Sequence, residues 1–306
     1  MAKSIIERTT CAQVTHLLHT VFLFTKNDYP LVFAPNILTG MVLAGPTDLR
    51  SFVAACVWLN LHLLAFNIQN QLVGVEEDRL CKPYRPFPSG RITVQQGRLL
   101  YLAVVAASIA WSFCHDLVLL SVIYSCGTTL YNELGLAANP FLKTPMGGIA
   151  YICYSWGATF IIGHHQPLSA NSLYAIMMSG LIFSLTGHMQ DFRDRSGDAL
   201  MGRRTIPIIL PQGVARWSLL FIIATFTYGL IVLWSPPFFV TIVFTALFLV
   251  TVVTLVATHS EEADRVNFHW YELWLICAHL LPLFRRIADG EVELPGTFLF
   301  SHLNLA

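Results

Sequence analysis

Two acidic segments hold the residues of this chain best suited to chemistry. The first runs Asn70-Gln71-Leu72-Val73-Gly74-Val75-Glu76-Glu77-Asp78, and the second runs Asp191-Phe192-Arg193-Asp194-Arg195-Ser196-Gly197-Asp198. On a helix of 3.6 residues per turn, Asn70, Gly74 and Glu77 or Asp78 fall near one face, with Asn67 one turn deeper. Spacings of three and then four residues align Asp191, Asp194 and Asp198 along one helical stripe. Like charges on one face repel, and a cation removes that cost. Hard divalent ions suit such oxygen ligands, and Mg²⁺ is usually held by one or two carboxylates plus substrate phosphates. The candidate metal ligands are Asn70, Glu77, Asp78, Asp191, Asp194 and Asp198. Glu76 is expected to face solvent, because consecutive residues cannot all point one way.

A diphosphate shared by two such clusters calls for further positive charge. Lys82, Arg85 and Arg91 follow the first segment, Lys143 lies between the two, and Arg203-Arg204 follows the second.

The elements that position these groups are read from composition. Of 306 residues, 55% are hydrophobic and 12% charged, with a mean hydropathy of +0.60. Soluble domains carry roughly 25% charged residues, and a chain so depleted would expose large apolar patches to water. In lipid that surface is favourable. A helix of about 20 apolar residues crosses a bilayer. Breaking the sequence at charges, Pro and Gly gives nine candidate spans, at 28–45, 51–71, 99–114, 117–132, 146–163, 171–189, 214–234, 237–258 and 269–286. The shorter ones need tilt or local thinning of the bilayer. Tight turns are expected at His115-Asp116 and at Ser235-Pro236-Pro237.

No segment has the character of a domain linker, so residues 1–306 read as one domain. His16 and His19 interrupt the only stretch that could serve as a signal peptide, so 1–26 reads as an interfacial segment. The expected fold is all-α: a polytopic membrane protein of about nine transmembrane helices in a single bundle around a central cavity. Threading nine crossings leaves only Arg50, Arg285 and Arg286 on the side opposite the N-terminus, against fifteen of the 18 basic residues on the other. Basic loops stay cytoplasmic, so both acidic segments and the cavity mouth are expected at the cytosolic face.

Other classes of function find little support. With 18 basic and 18 acidic residues, net charge gives no ground for a nucleic-acid partner, and no obligatory protein partner is implied. The seven cysteines lack any C-x-x-C spacing, which argues against a zinc site or a disulfide framework. His164-His165 falls in a loop on the far side, without an acidic neighbour in sequence, and reads as a loop pair. His62, deep in the second span, is a polar group in an expensive place and should hydrogen-bond to a neighbouring helix.

The residues also match a known pattern. Segment 70–93, with its Arg85-Pro86-Phe87-Pro88-Ser89-Gly90-Arg91-Ile92 tail, resembles the first signature of the UbiA superfamily of intramembrane prenyltransferases. Segment 191–207, ending Gly202-Arg203-Arg204-Thr205-Ile206-Pro207, resembles the second, and Tyr131 followed by Lys143 resembles the intervening element. The likeness covers roughly 25–285. Family transferases carry Asn-Asp-x-x-Asp-x-x-x-Asp, whereas here Gln71 and Gly74 replace two acids and Glu77 is added. That departure looks like the fungal branch that cyclises prenyl diphosphates.

The resemblance implies Mg²⁺-assisted ionisation of a linear farnesyl or geranylgeranyl diphosphate, by charge stabilisation in a water-poor site. On this reading Asn70, Asp78, Tyr131, Asp191, Asp194 and Asp198 carry the chemistry. Asn67, Gln71, Lys82, Arg85, Arg91, Lys143, Arg203 and Arg204 hold the substrate head. Phe66, Tyr124, Tyr151, Tyr154 and Trp156 are candidates to line the chain's path, since aromatic faces stabilise cations. Trp111, Trp270 and Trp274 read as packing or interface residues. The implied setting is a multi-pass protein of the endoplasmic reticulum membrane. The competing enzyme is a prenyltransferase with an aromatic or quinone-precursor acceptor. A transporter would instead show ionisable residues at the midplane and repeated broken helices, and the carboxylates cluster at one face.

Overall fold

A computed structural model describes residues 2–45 and 47–292. Met1, Pro46 and 293–306, which the single-domain reading includes, lie outside the described residues. Helix α1 (Ala2–Thr25) leads through a π-helical turn (Tyr29–Phe33) into α2 (Ala34–Ala44). Asp48 starts α3 (Leu49–Val73) by accepting the amides of Arg50 and Ser51, at 2.9 and 3.1 Å. After a break at Gly74 comes the short α4 (Val75–Cys81). A reciprocal Thr93/Gln96 cap opens α5 (Val94–Phe113), followed by α6 (Val118–Asn132), α7 (Lys143–Ile162) and α8 (Ala170–Thr186). Three short helices, α9 (Met189–Phe192), α10 (Arg195–Leu200) and α11 (Ile206–Ile209), carry the second acidic segment and its tail. The chain continues as α12 (Gln212–Trp234), α13 (Phe238–Ala257), α14 (Glu261–Leu280) and α15 (Pro282–Ala288). Among the described residues there is no strand.

Every apolar stretch anticipated from sequence falls on helix. Among the described residues, five helical segments are long and apolar enough to cross a membrane: Leu49–Val73, Val94–Phe113, Ala170–Phe192, Gln212–Trp234 and Phe238–Ala257. Large apolar side chains such as Phe113, Leu119, Phe221, Tyr228, Phe238 and Phe239 stand exposed, the surface a lipid solvent accepts. Both anticipated turns are present, with Asp116 at φ 56° and Ser235 at φ 44°. The last anticipated span, 269–286, differs from the apolar pattern, dividing at Leu281 between α14 and α15. Helix α14 begins at Glu261, ahead of the apolar run, because Ser260 caps it and acidic side chains fill its first turn.

Two kinds of contact set the packing. Small residues let α7 approach its neighbours closely. A Cβ on Gly148 would lie 1.9 Å from Ser184 Oγ and 2.5 Å from the Gly180 carbonyl oxygen on α8. Polar side chains then tie helices together. Trp58 Nε1 donates to Ser112 Oγ at 2.8 Å, Ser112 and Ser121 hydroxyls lie 2.5 Å apart, and His62 Nε2 meets Ser121 Oγ at 2.8 Å. His62 thus makes the interhelical bond expected of it, and α3, α5 and α6 share one buried network.

Candidate active site

The two acidic segments lie together, but not on the continuous helices that spacing arithmetic assumes. Helix α3 ends before Gly74, so Asn70 and Asp78 belong to different helices. In the second segment Asp191 is on α9, Asp194 stands in the break, and Asp198 is on α10. The single stripe of three aspartates is therefore corrected to two short helices and a turn. Tertiary pulls on the intervening arginines account for the break. Arg193 lies over the Phe268 ring, 3.8 Å from its centroid. Arg195 donates to Gln212 Oε1 at 2.7 Å, the His259 carbonyl at 2.7 Å and Asp264 Oδ2 at 3.1 Å. Asp264 is itself locked by fully buried Arg216, with two contacts of 2.7 Å.

Each candidate carboxylate is held by a basic side chain. Lys143 Nζ donates to Asp191 Oδ1 at 2.6 Å. Arg85 Nη1 reaches both oxygens of Asp78 at 2.8 and 2.9 Å. Arg203 bonds Glu77 and lies 3.4 Å from Asp198 Oδ1. Lys82 lies 3.7 Å from Asp194. Two of these pairs, Arg203 with Glu77 and Lys82 with Asp194, cross from one segment to the other. Asp78, Asp191 and Asp198 are buried, and Glu76 is exposed on Arg79, as expected. Burial raises the Asp198 carboxyl above its ordinary range; Lys143 and Arg203 oppose that shift, while Asp191 and Asp194 add to it.

The uncharged candidates divide. Asn70 Nδ2 donates to Asn132 Oδ1 at 2.9 Å, and Asn132 Nδ2 to Gln69 Oε1 at 3.2 Å, so the first segment is braced against α6. Asn67 Nδ2 bonds the Leu63 carbonyl, at 3.1 Å. Gln71 Nε2 reaches the Phe24 carbonyl at 3.2 Å, leaving its Oε1 buried and unpartnered among the described residues. Tyr131 shares the electrostatic field of Lys143, Asp191 and Arg203, and its ring lies 5.6 Å from that of Phe66. Tyr124, Tyr151 and Tyr154 are buried with their hydroxyls engaged: Tyr124 with Tyr154 and the His62 carbonyl, Tyr151 with the Leu31 carbonyl. Trp156 is half-buried. Trp274 and Trp111 pack, donating to Thr227 Oγ1 at 3.0 Å and the Ala54 carbonyl at 3.1 Å.

Two basic candidates lie apart from the carboxylates. Arg91 turns to His19 Nδ1 at 2.8 Å, and Arg204 is exposed and makes no ion pair among the described residues. The histidine loop also needs correction. His164 lies 3.1 Å from Asp48, a carboxylate that adjacency in sequence did not reveal. Sequence spacing likewise gave no place to Asp28, partly buried in the turn before α2, whose backbone carbonyl accepts the amides of Val32 and Phe33. Its only local signal is a charge at the edge of an apolar run.

The donor set fits Mg²⁺. All the candidate ligand atoms are oxygens, and Asp198 Oδ2 is buried with no hydrogen-bond partner. No group of three or more Asp, Glu, His or Cys side chains is gathered as a ready metal site among the described residues. An ion completed by substrate phosphates does not need one.

Comparison with known proteins bears on the family of the chain. Residues 33–276 match the model of the UbiA prenyltransferase family. A fumagillin beta-trans-bergamotene synthase of Aspergillus fumigatus is 41% identical over 275 residues, covering 90% of this chain and 95% of that protein. A polyprenyl transferase of Hericium erinaceus is 28% identical over 222 residues, covering 69% of this chain and 75% of the other. Among solved structures, a UbiA homolog from Archaeoglobus fulgidus bound to GPP and Mg²⁺ superposes with a TM-score of 0.61 at 14% identity, over 86% of this chain and 99% of that one. That likeness is one of fold.

Proposed function

The chain belongs to the UbiA prenyltransferase family, and from that premise we propose that it is a Mg²⁺-dependent membrane terpene cyclase. It ionises a linear farnesyl or geranylgeranyl diphosphate and closes the carbocation into a cyclic hydrocarbon, releasing diphosphate. One observation carries the reading: Arg203 joins Glu77 to Asp198, so the two acidic segments present one site. Substitution of acids by Gln71 and Gly74, together with the 41% identical synthase, favours cyclisation over transfer. Nine spans enclose a cavity whose mouth faces the cytosol, in the endoplasmic reticulum membrane.

Glu77, Asp78, Asp191, Asp194 and Asp198, with Asn70, would hold the ion. When bound, Mg²⁺ withdraws charge from the diphosphate and so eases cleavage of the allylic C–O bond. Lys82, Arg85, Lys143 and Arg203 transfer from their carboxylates to phosphate oxygens and orient the head group. The Tyr131 hydroxyl, beside Lys143, donates its proton in a hydrogen bond to a departing oxygen. Phe66 and the tyrosines of α6 and α7 keep water from the prenyl chain and present aromatic faces to the cation.

Purified protein incubated with Mg²⁺ and farnesyl or geranylgeranyl diphosphate should release a cyclic hydrocarbon detectable by mass spectrometry. Recovery of intact substrate or a linear alcohol alone would count against the proposal. The 28% identical polyprenyl transferase supports a second reading: product formed only when an aromatic acceptor is supplied.

A further inference from the structure

Between Asp191 and Asp198, both buried, the chain gives three residues to α14. Arg193 lies over the Phe268 ring, and Arg195 donates to Asp264 Oδ2 at 3.1 Å. Ser196 donates both its amide and its hydroxyl to Glu261 Oε1, at 2.5 and 2.6 Å. Glu261 and Asp264 are three residues apart in the first turn of α14, so they share a face. Asp194, standing between the two arginines, lies 3.7 Å from Lys82 at the end of α4.

Arg195 spans the break between α9 and α10. Its Nε donates to the Phe192 carbonyl, where α9 ends, at 3.0 Å. Its Nη1 donates to Gln212 Oε1 and its Nη2 to the His259 carbonyl, both at 2.7 Å. All three nitrogens are thus engaged away from the acidic residues of the site. Lys82, Arg85, Lys143 and Arg203 differ, each meeting one of the candidate metal-binding carboxylates. Asp264 is fixed in turn by Arg216, whose guanidinium also donates to the Leu255 carbonyl at 2.7 Å and lies 4.8 Å from the centre of the Phe192 ring. The Asp264 and Arg216 side chains are each only 1% exposed. Apolar residues of similar volume often replace such a buried pair with no loss of stability. Arg216 Nε is moreover buried with no hydrogen-bond partner among the described residues. Stability is therefore a weak reason for the cluster.

We propose, on the Mg²⁺-dependent reading above, that Arg195 is a positioning residue, held by Asp264 and Arg216, which sets the spacing of Asp191, Asp194 and Asp198 around the ion. Its side chain ties the Phe192 carbonyl, one residue after Asp191, to the first residue of α10, three before Asp198. It acts through those carboxylates and not on the diphosphate. A lysine in its place keeps the charge but lacks the planar fork, so it cannot hold the break, α12 and α14 together.

The test compares wild type with Arg195→Lys and with Arg216→Met/Asp264→Leu, reading diphosphate release, its Mg²⁺ dependence and melting in detergent. Arg195→Lys should melt near wild type and lose about 10²-fold in kcat, the usual effect of misplacing such a constellation by about 1 Å. Its half-saturating Mg²⁺ concentration should rise about ten-fold, while KM for the prenyl diphosphate at saturating Mg²⁺ moves by less than about three-fold. One readout needs no turnover: Mg²⁺ with inorganic diphosphate should raise the melting temperature of wild type and do so less in the variant. Arg216→Met/Asp264→Leu strands no charge and should melt near wild type, yet lose at least about ten-fold in kcat. Adding Arg195→Lys to it should then cost far less than in wild type, because a partner of Arg195 is already gone; the double variant decides the matter if Arg195→Lys does not fold. Wild-type kcat and Mg²⁺ dependence in either variant would overturn the role. So would a rise in KM as large as the fall in kcat, which would put Arg195 on the phosphates, or independent losses that simply multiply. A wild type that releases diphosphate only with an aromatic acceptor overturns the cyclase reading and leaves this comparison standing, since release is what it measures. A wild type that releases none under any condition overturns the proposed function before a variant is compared.

Discussion

Arg203 bonds Glu77 across 126 positions of sequence and is also 3.4 Å from Asp198. This one guanidinium closes the circuit between the acidic segments. Replacing it with Ala removes a charge-assisted contact worth about 1.5–3 kcal/mol. The variant should raise KM for the prenyl diphosphate roughly ten-fold or more, with a smaller change in kcat, as steady-state assay of diphosphate release will measure.

Lys143 and Asp191 form an ion pair at 2.6 Å with both side chains largely buried. Asp191→Ala should abolish turnover. It also strands a buried ammonium, at a cost of about 3–5 kcal/mol. The double variant Lys143→Met/Asp191→Ala should recover most of the lost melting temperature and none of the activity. Melting in detergent beside a turnover assay separates the two effects; recovery of turnover would remove the catalytic role given to Asp191.

Much of this was legible in the sequence, and the gaps have physical causes. Apolar length located the helices, because lipid tolerates little else. The acidic segments were visible because charges are conspicuous in so apolar a chain. Their detailed geometry was not, since spacing arithmetic assumes an unbroken helix. Gly74 ends α3, and the partners of Arg193 and Arg195 draw the second segment out of register. The Arg216–Asp264 lock joins residues 48 positions apart and leaves no local pattern.

Gly148 and Gly229 make a contrast that tests the packing. A Cβ at Gly148 meets Ser184 and the Gly180 backbone, whereas at Gly229 nothing lies within 4 Å. Gly148→Ala forces α7 and α8 apart and should cost about 1–3 kcal/mol. Gly229→Ala, on an open face of α12, should be neutral or stabilise by up to about 1 kcal/mol through helix propensity. Thermal melting of the two variants in one detergent checks both signs.

Asp198 Oδ2 is buried and unpartnered, while its Oδ1 is held by Arg203. A free carboxylate oxygen in that position is an open acceptor, and the ordinary way to satisfy it beside a diphosphate is with a hard cation. Chelation of Mg²⁺ should therefore abolish turnover, and added Mg²⁺ should restore it. Asp198→Asn keeps the shape and can keep an oxygen toward Arg203, but it turns an amide donor toward the cation and removes a charge. Its half-saturating Mg²⁺ concentration should rise at least about ten-fold, equivalent to some 1.4 kcal/mol. Binding to the folded state stabilises it, so Mg²⁺ with diphosphate should raise the melting temperature of the wild type and do so much less in Asp198→Asn. Equal Mg²⁺ dependence in the two proteins would mean that the open oxygen serves something other than a metal.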